Sequence, residues 1–157
     1  MTTALDTNVL LDLLIPNAVF VKSSRGFLEK AHAEGTLILC EAVWAEVASQ
    51  FESREEVEMF FRDTGIQLVP ASPEALFMAG CAWRSYRERR REGLACAACG
   101  HVQKEVHCVR CGELLRGRQH IVSDFLIGAH AQVLADRLLT RDRGFYTTYF
   151  ESLSLFS

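Results

Sequence analysis

Short runs of β-favouring residues alternate along this chain with longer stretches whose apolar positions recur every three or four residues. Thr2 to Leu5 is the first such run and ends at Asp6; "TNVLLDLLI" and then "AVFVKSSRGFLEKAHAEG" carry helical periodicity up to Gly35. "TLILC" is a second strand candidate, and "EAVWAEVASQF" a further helical stretch. A charged helical segment, "REEVEMFFRDTG", leads into "IQLVP", a third strand candidate closed by a proline that cannot donate to a ladder. Ser72 and Pro73 are expected as N-cap and first residue of the next helix, "SPEALFMAGCAWRSYRERRREG". Its apolar front half and arginine-rich back half predict a helix that leaves the core and runs into solvent. "SDFLIGAHAQVLA" reads as a helix capped by Ser123, "RLLT" as a fourth strand and "LSLF" as a fifth. Alternation of this kind predicts an α/β fold with a parallel sheet covered on both faces.

With 157 residues, 49% of them hydrophobic, the chain can bury one substantial core, and its length favours one domain with room for a small appended module. The N-terminal stretch has no positive flank, no small-residue cleavage site and an aspartate in its middle. It is therefore expected to be neither a signal peptide nor a spanning helix, which predicts a cytoplasmic protein with no membrane partner.

Four acids fall where open parallel sheets build their sites, at the carboxyl ends of strands. Asp6 closes the first strand, Glu46 lies on the helix after the second, Asp124 begins the helix before the fourth, and Asp142 follows the fourth. Mg²⁺ and Mn²⁺ prefer carboxylate oxygens and keep waters that leave room for phosphate oxygens. Such ions can activate a water and stabilise the departing oxygen of a phosphodiester. Each acid also has a local reading: Asp6 as a helix cap, Asp124 as a partner of a helix dipole, Glu46 on a solvated face, Asp142 at a turn. Spacing alone leaves the two readings open.

Six cysteines could imply a disulfide framework, but four form two Cys-x-x-Cys pairs: Cys96 with Cys99 and Cys108 with Cys111, each followed by glycine. Two intervening residues let one tight turn present both sulfurs to a single ion, and four thiolates select a structural Zn²⁺ over iron. His101 and His107 are expected as surface residues beside it. Cys40 and Cys81 read as small buried hydrophobes, Trp44 and Trp83 as core. His32, His120 and His130 have no ligand spacing and read as satisfied surface or helix residues.

The net charge of −3 hides an asymmetry. From Arg84 to Arg118 there are nine basic residues and four acidic ones, against eight basic and sixteen acidic elsewhere. Arg84, Arg87, Arg89, Arg90 and Arg91 on the helix, with Lys104, Arg110, Arg116 and Arg118 on the cysteine segment, are candidates for salt-sensitive contacts to RNA phosphates. A solvated helix end is the competing reading.

The stretches "ALDTNVLLDLL", "EAVWAEV", "SDFLIGAHA" and "LLTRDRGFY" resemble, in order, the four signature segments of the PIN-domain family, and most resemble those of VapC toxins from toxin–antitoxin pairs. The resemblance covers the chain apart from roughly Gly93 to Gln119. It implies residues 1–92 and 120–157 as a discontinuous PIN-like domain with an α/β/α sandwich, which leaves 93–119, with its two Cys-x-x-Cys pairs, as an inserted zinc ribbon. It also implies that Asp6, Glu46, Asp124 and Asp142 bind Mg²⁺ or Mn²⁺, and that Asn8 and Thr140 support them by hydrogen bonding. The implied activity is endoribonuclease cleavage by metal-activated water, in a homodimer silenced by an antitoxin. The insert departs from most VapC-like chains, which have a short loop there. A ribbon beside a PIN domain is similar to a pre-ribosomal RNA endonuclease, although that ribbon normally follows the PIN domain. A non-catalytic RNA-binding or adaptor protein is a further alternative, and recruitment of a protein partner by the ribbon ranks last.

Overall fold

The computed structural model describes residues 1–15, 19–89, 94–95, 102–114 and 121–156. Strand β1 (Thr2–Leu5) occupies the middle of a five-stranded sheet, with β2 (Thr36–Leu39) and β3 (Gln67–Leu68) on one side and β6 (Arg137–Leu139) and β7 (Leu155–Phe156) on the other. Every pairing in this sheet is parallel, with Ala4 beside Ile38 in β2 and beside Leu138 in β6. These are the five runs expected from the sequence.

Successive residues of a strand face opposite sides of a sheet, yet Thr3, Ala4 and Leu5 are all buried, as are Leu37, Ile38 and Leu39, and Leu138 and Leu139. Both faces are therefore covered, as a parallel sheet requires. The flanking helices are α1 (Thr7–Leu14), α2 (Val21–Glu34), α3 (Glu41–Ala48), α4 (Arg54–Thr64), α5 (Pro73–Arg89), α6 (Val122–Leu134) and α7 (Arg143–Tyr149). Among the described residues, no helix is long and apolar enough to cross a membrane.

Local signals set some of the helix ends. Ser72 accepts the Ala75 amide at 3.2 Å, so α5 begins at Pro73 as its sequence predicts. Ser123, by contrast, does not cap α6. Ile121 takes the cap position and the helix starts at Val122, two residues earlier than a Ser123 cap would place it, because Asp124 reaches back to accept the Ile121 amide at 2.9 Å and fixes the first turn.

The arginine-rich half of α5 also stays on the core longer than its composition suggests. Tyr86, between exposed Arg84 and Arg87, is buried and stacks on Trp83. Both rings meet Phe125 of α6, which is fully buried and packs edge-to-face on Phe145 of α7 with centroids 4.9 Å apart. This aromatic cluster joins α6, which carries Asp124 in its first turn, to α7, which follows Asp142. At Gly128, a β-carbon would lie 2.3 Å from the Phe150 ring, so only glycine lets α6 approach the end of α7 this closely.

Cys40 is buried and Cys81 half-buried; Trp44 stacks on Phe61, and both tryptophans pack against the core. His130 is buried on α6, where its Nε2 donates to the Val69 carbonyl at 2.8 Å and burial holds the imidazole below its usual pKa. The described parts of the cysteine segment include a separate antiparallel pair, β4 (Leu94–Ala95) with β5 (Val102–Gln103), and a bridge between His107 and Leu114.

Candidate active site

The carboxyl ends of β1 and β6 lie side by side, and the Asp6 amide donates to the Leu139 carbonyl at 3.0 Å. Asp6 thereby meets Thr140, 134 residues away in sequence, at the start of the loop that leads to Asp142. Asp6 is only 6% exposed, and Thr140 is fully buried.

The Asp6 carboxylate makes no regular capping bond to α1. One of its oxygens, Oδ2, instead accepts the Thr140 hydroxyl at 2.6 Å and the Asn8 side-chain amide at 2.6 Å. The Tyr146 hydroxyl donates to the same carboxylate. Thr140 accepts in turn from Asn8 Nδ2 at 3.2 Å and from the Asp142 amide at 3.0 Å. A closed set of hydrogen bonds thus fixes Asp6, Asn8, Thr140 and the backbone of Asp142 relative to one another.

Burial pushes the Asp6 carboxyl up from its ordinary 3.8 to about 6, against the lowering pull of Thr140, Tyr146 and the nearby Asn8 and Thr7 amides. Tyr146 registers three of the four acids. Its phenol is driven far above its usual range, first by burial, then by the charges of Asp6 and Asp124, and also by that of Asp142. Glu46 joins the site from α3, where its Oε2 accepts the Thr7 hydroxyl from the residue after Asp6.

Asp124 and Asp142 also serve locally. Asp124 closes the first turn of α6, and Asp142 Oδ1 accepts the Phe145 amide at 3.1 Å to cap α7. A carboxylate offers roughly four lone-pair sites, so a capping bond leaves capacity for a cation. Among the described residues, no three His, Cys, Asp or Glu side chains are grouped so as to hold a metal ion. Mg²⁺ characteristically takes one or two carboxylates and keeps its waters, and the oxygen-only donor set around a desolvated Asp6 fits that mode better than an all-protein cage.

Thr7, Tyr146 and the pair Asp12–Arg141 are site features that sequence reading missed. Tyr146 lies four residues after Asp142 on the same face of α7, and Asp12 is a charge inside the apolar run of α1. Those two placements were the available signals.

On the cysteine segment, Cys108 and Cys111 bound a tight turn in which Gly112, at φ 73°, donates to the Cys108 carbonyl at 2.8 Å. The amides of Arg110 and Cys111 point at the Cys108 sulfur and hold its thiol below the usual range. Cys96 and Cys99 lie outside the described residues, as do Arg90, Arg91, Arg116 and Arg118. Of the other candidate RNA contacts, Arg84, Arg87 and Arg110 are exposed, and Arg89 ends α5.

The model of the PIN domain family matches residues 3–151. No curated protein matches the sequence. A chain in the crystal structure of VapBC2 from Rickettsia felis, bound to a DNA fragment from their promoter, aligns with a TM-score of 0.62 and 17% identity, covering 99% of this chain and 98% of that one. At that identity the likeness speaks for the fold alone.

The buried carboxyl has a measurable consequence. Because its folded pKa lies above the ordinary value, the stability it contributes is present below pH 3.8 and lost as pH rises through about 6. In metal-free buffer, Asp6→Asn should therefore be more stable than the wild type at pH 7.5, by up to roughly 2–3 kcal/mol, and nearly equal to it at pH 4. Urea unfolding at both pH values measures the difference; parallel pH dependence of the two proteins would refute the buried-charge assignment.

Proposed function

This chain belongs to the PIN domain family, and from that premise we propose that it is a metal-dependent endoribonuclease, the toxin of a type II toxin–antitoxin pair. The observation that carries the nuclease reading is the buried Asp6 carboxylate, bonded by Asn8, Thr140 and Tyr146, with Asp124 and Asp142 close enough to act on the same tyrosine. Glu46, held by Thr7, completes the acidic set.

In this reading, Asp6, Glu46, Asp124 and Asp142 hold Mg²⁺ or Mn²⁺, one or two of them directly and the others through its waters. The bound ion supplies an acidified water and charge stabilisation for phosphodiester cleavage. Asn8 and Thr140 fix the Asp6 carboxylate, and Tyr146 closes off its buried side. Preset geometry matters because a carboxylate that must reorient loses part of the binding free energy.

The toxin reading rests on the VapC-like signature segments, with the VapBC2 likeness as support at the level of fold. It implies an antitoxin partner, a homodimer and a cytoplasmic setting. The exposed Arg84, Arg87 and Arg110, together with Arg89, Arg90, Arg91, Arg116 and Arg118, would add phosphate contacts to RNA.

Asp6→Asn and Asp124→Asn should each lower Mg²⁺- or Mn²⁺-dependent RNA cleavage by more than about 100-fold, and Thr140→Ala by the roughly 10–100-fold typical of a group that orients a ligand. Wild-type rates in both aspartate variants would remove the site assignment. A wild type that binds RNA but never cleaves it would favour the adaptor alternative.

The cysteine segment is proposed to be an inserted zinc ribbon over residues 93–119, with Cys96, Cys99, Cys108 and Cys111 as ligands to a structural Zn²⁺. The tight Cys108–Gly112 turn, with amides directed at sulfur, supports it. Elemental analysis of the purified protein should find about one zinc per chain, lost in Cys108→Ser. A full zinc complement in that variant would contradict the ligand set.

A further inference from the structure

A second polar cluster lies beside the acids and has no place in the reaction so far. Asp12, on α1, is 5% exposed, and its carboxylate accepts both the Arg141 Nε, at 2.7 Å, and the Arg141 Nη2, at 3.0 Å. Ser24 of α2 donates to the same carboxylate at 2.6 Å. The guanidinium also lies over the Phe20 ring, 4.2 Å from its centroid.

Arg141 sits between Thr140 and Asp142. Its own backbone amide donates to Asn8 Oδ1 at 3.2 Å. Asn8 and Asp12 are four residues apart on α1 and share one helix face. Residue 141 therefore grips two successive turns of α1, the first with its amide and the second with its side chain. The Asn8 it holds is the residue that donates to Asp6 and Thr140.

We propose that the Asp12–Arg141 pair is the clamp that sets the Thr140–Asp142 loop against α1, making Arg141 a positioning residue for the nuclease reaction. The inference rests on the nuclease reading for its kinetic consequence, though not for its geometry. A planar guanidinium bonded through two donors fixes orientation as well as distance, which a single ammonium cannot do. Ser24 and the Phe20 ring hold the pair from the α2 side, so the clamp spans α1, the start of α2 and the loop after β6. With two of its donors committed to Asp12, Arg141 is built to hold the loop rather than to search for phosphate.

Arg141→Ala would strand Asp12 as a buried unpaired charge and endanger the fold. The informative variants are Arg141→Lys, which keeps the charge without the fork, and the neutral pair Asp12→Asn/Arg141→Gln. Both should fold, as judged by circular dichroism. Arg141→Lys should lower kcat roughly tenfold or more with KM changed less than about twofold, and weaken Mn²⁺ binding measured without RNA several-fold, effects expected when a group that orients ligands is loosened. The neutral pair should fall in the same direction.

Unchanged kcat and Mn²⁺ affinity in both folded variants would overturn the clamp. So would a raised KM with kcat preserved, since that would make Arg141 an RNA contact. If Mn²⁺ binding weakens in the variants while the wild type cleaves no RNA, the clamp stands and the nuclease reading falls.

Discussion

A carboxylate buried at the end of the central strand is the constraint around which the rest of this structure is arranged. Asp6 is there because β1 ends there, and β1 is central because its residues are apolar enough to be covered on both faces. Burying a charge is unfavourable unless hydrogen bonds or an opposite charge compensate. Asn8, Thr140 and Tyr146 provide the bonds. On the proposed reading, a divalent cation would add an opposite charge.

The surrounding elements decide which groups lie near that carboxylate. The parallel pairing of β1 with β6 brings Asp142 alongside, and the aromatic cluster of Trp83, Tyr86, Phe125 and Phe145 packs α6 and α7 so that Asp124 and Asp142 lie near Tyr146. Asp124 and Asp142 cap their own helices as well. The local reading expected of Asp124, in the first turn of its helix, and of Asp142, at a turn, therefore holds for both, whereas the cap expected of Asp6 does not form.

Period and turn chemistry made much of the fold legible in the sequence. All five strands of the main sheet sit where the apolar runs are, and Ser72–Pro73 opens α5. Where a tertiary contact overrides a local signal, the reading slips: Asp124 moves the start of α6 ahead of Ser123, and Tyr86 keeps the arginine-rich end of α5 on the core. The acids stood out by their places at strand ends, and the family resemblance added Asn8 and Thr140, which bond Asp6, but Thr7, Tyr146 and the Asp12–Arg141 pair had no such signal. Thr7 reaches Glu46 across 39 residues, and Arg141 reaches Asp12 across 129. Pairs so distant leave no periodic trace in a single sequence.

The most direct measurement is the titration of the Asp6 carboxyl itself, followed by carbon NMR with and without saturating Mg²⁺. In metal-free buffer its midpoint should lie near 6, and Mg²⁺ should drive it below the ordinary carboxylate value of 3.8, because a bound cation favours the charged form. A midpoint that Mg²⁺ leaves in place would mean that the buried carboxylate is not where the cation binds, and the acidic site would lose its assigned role.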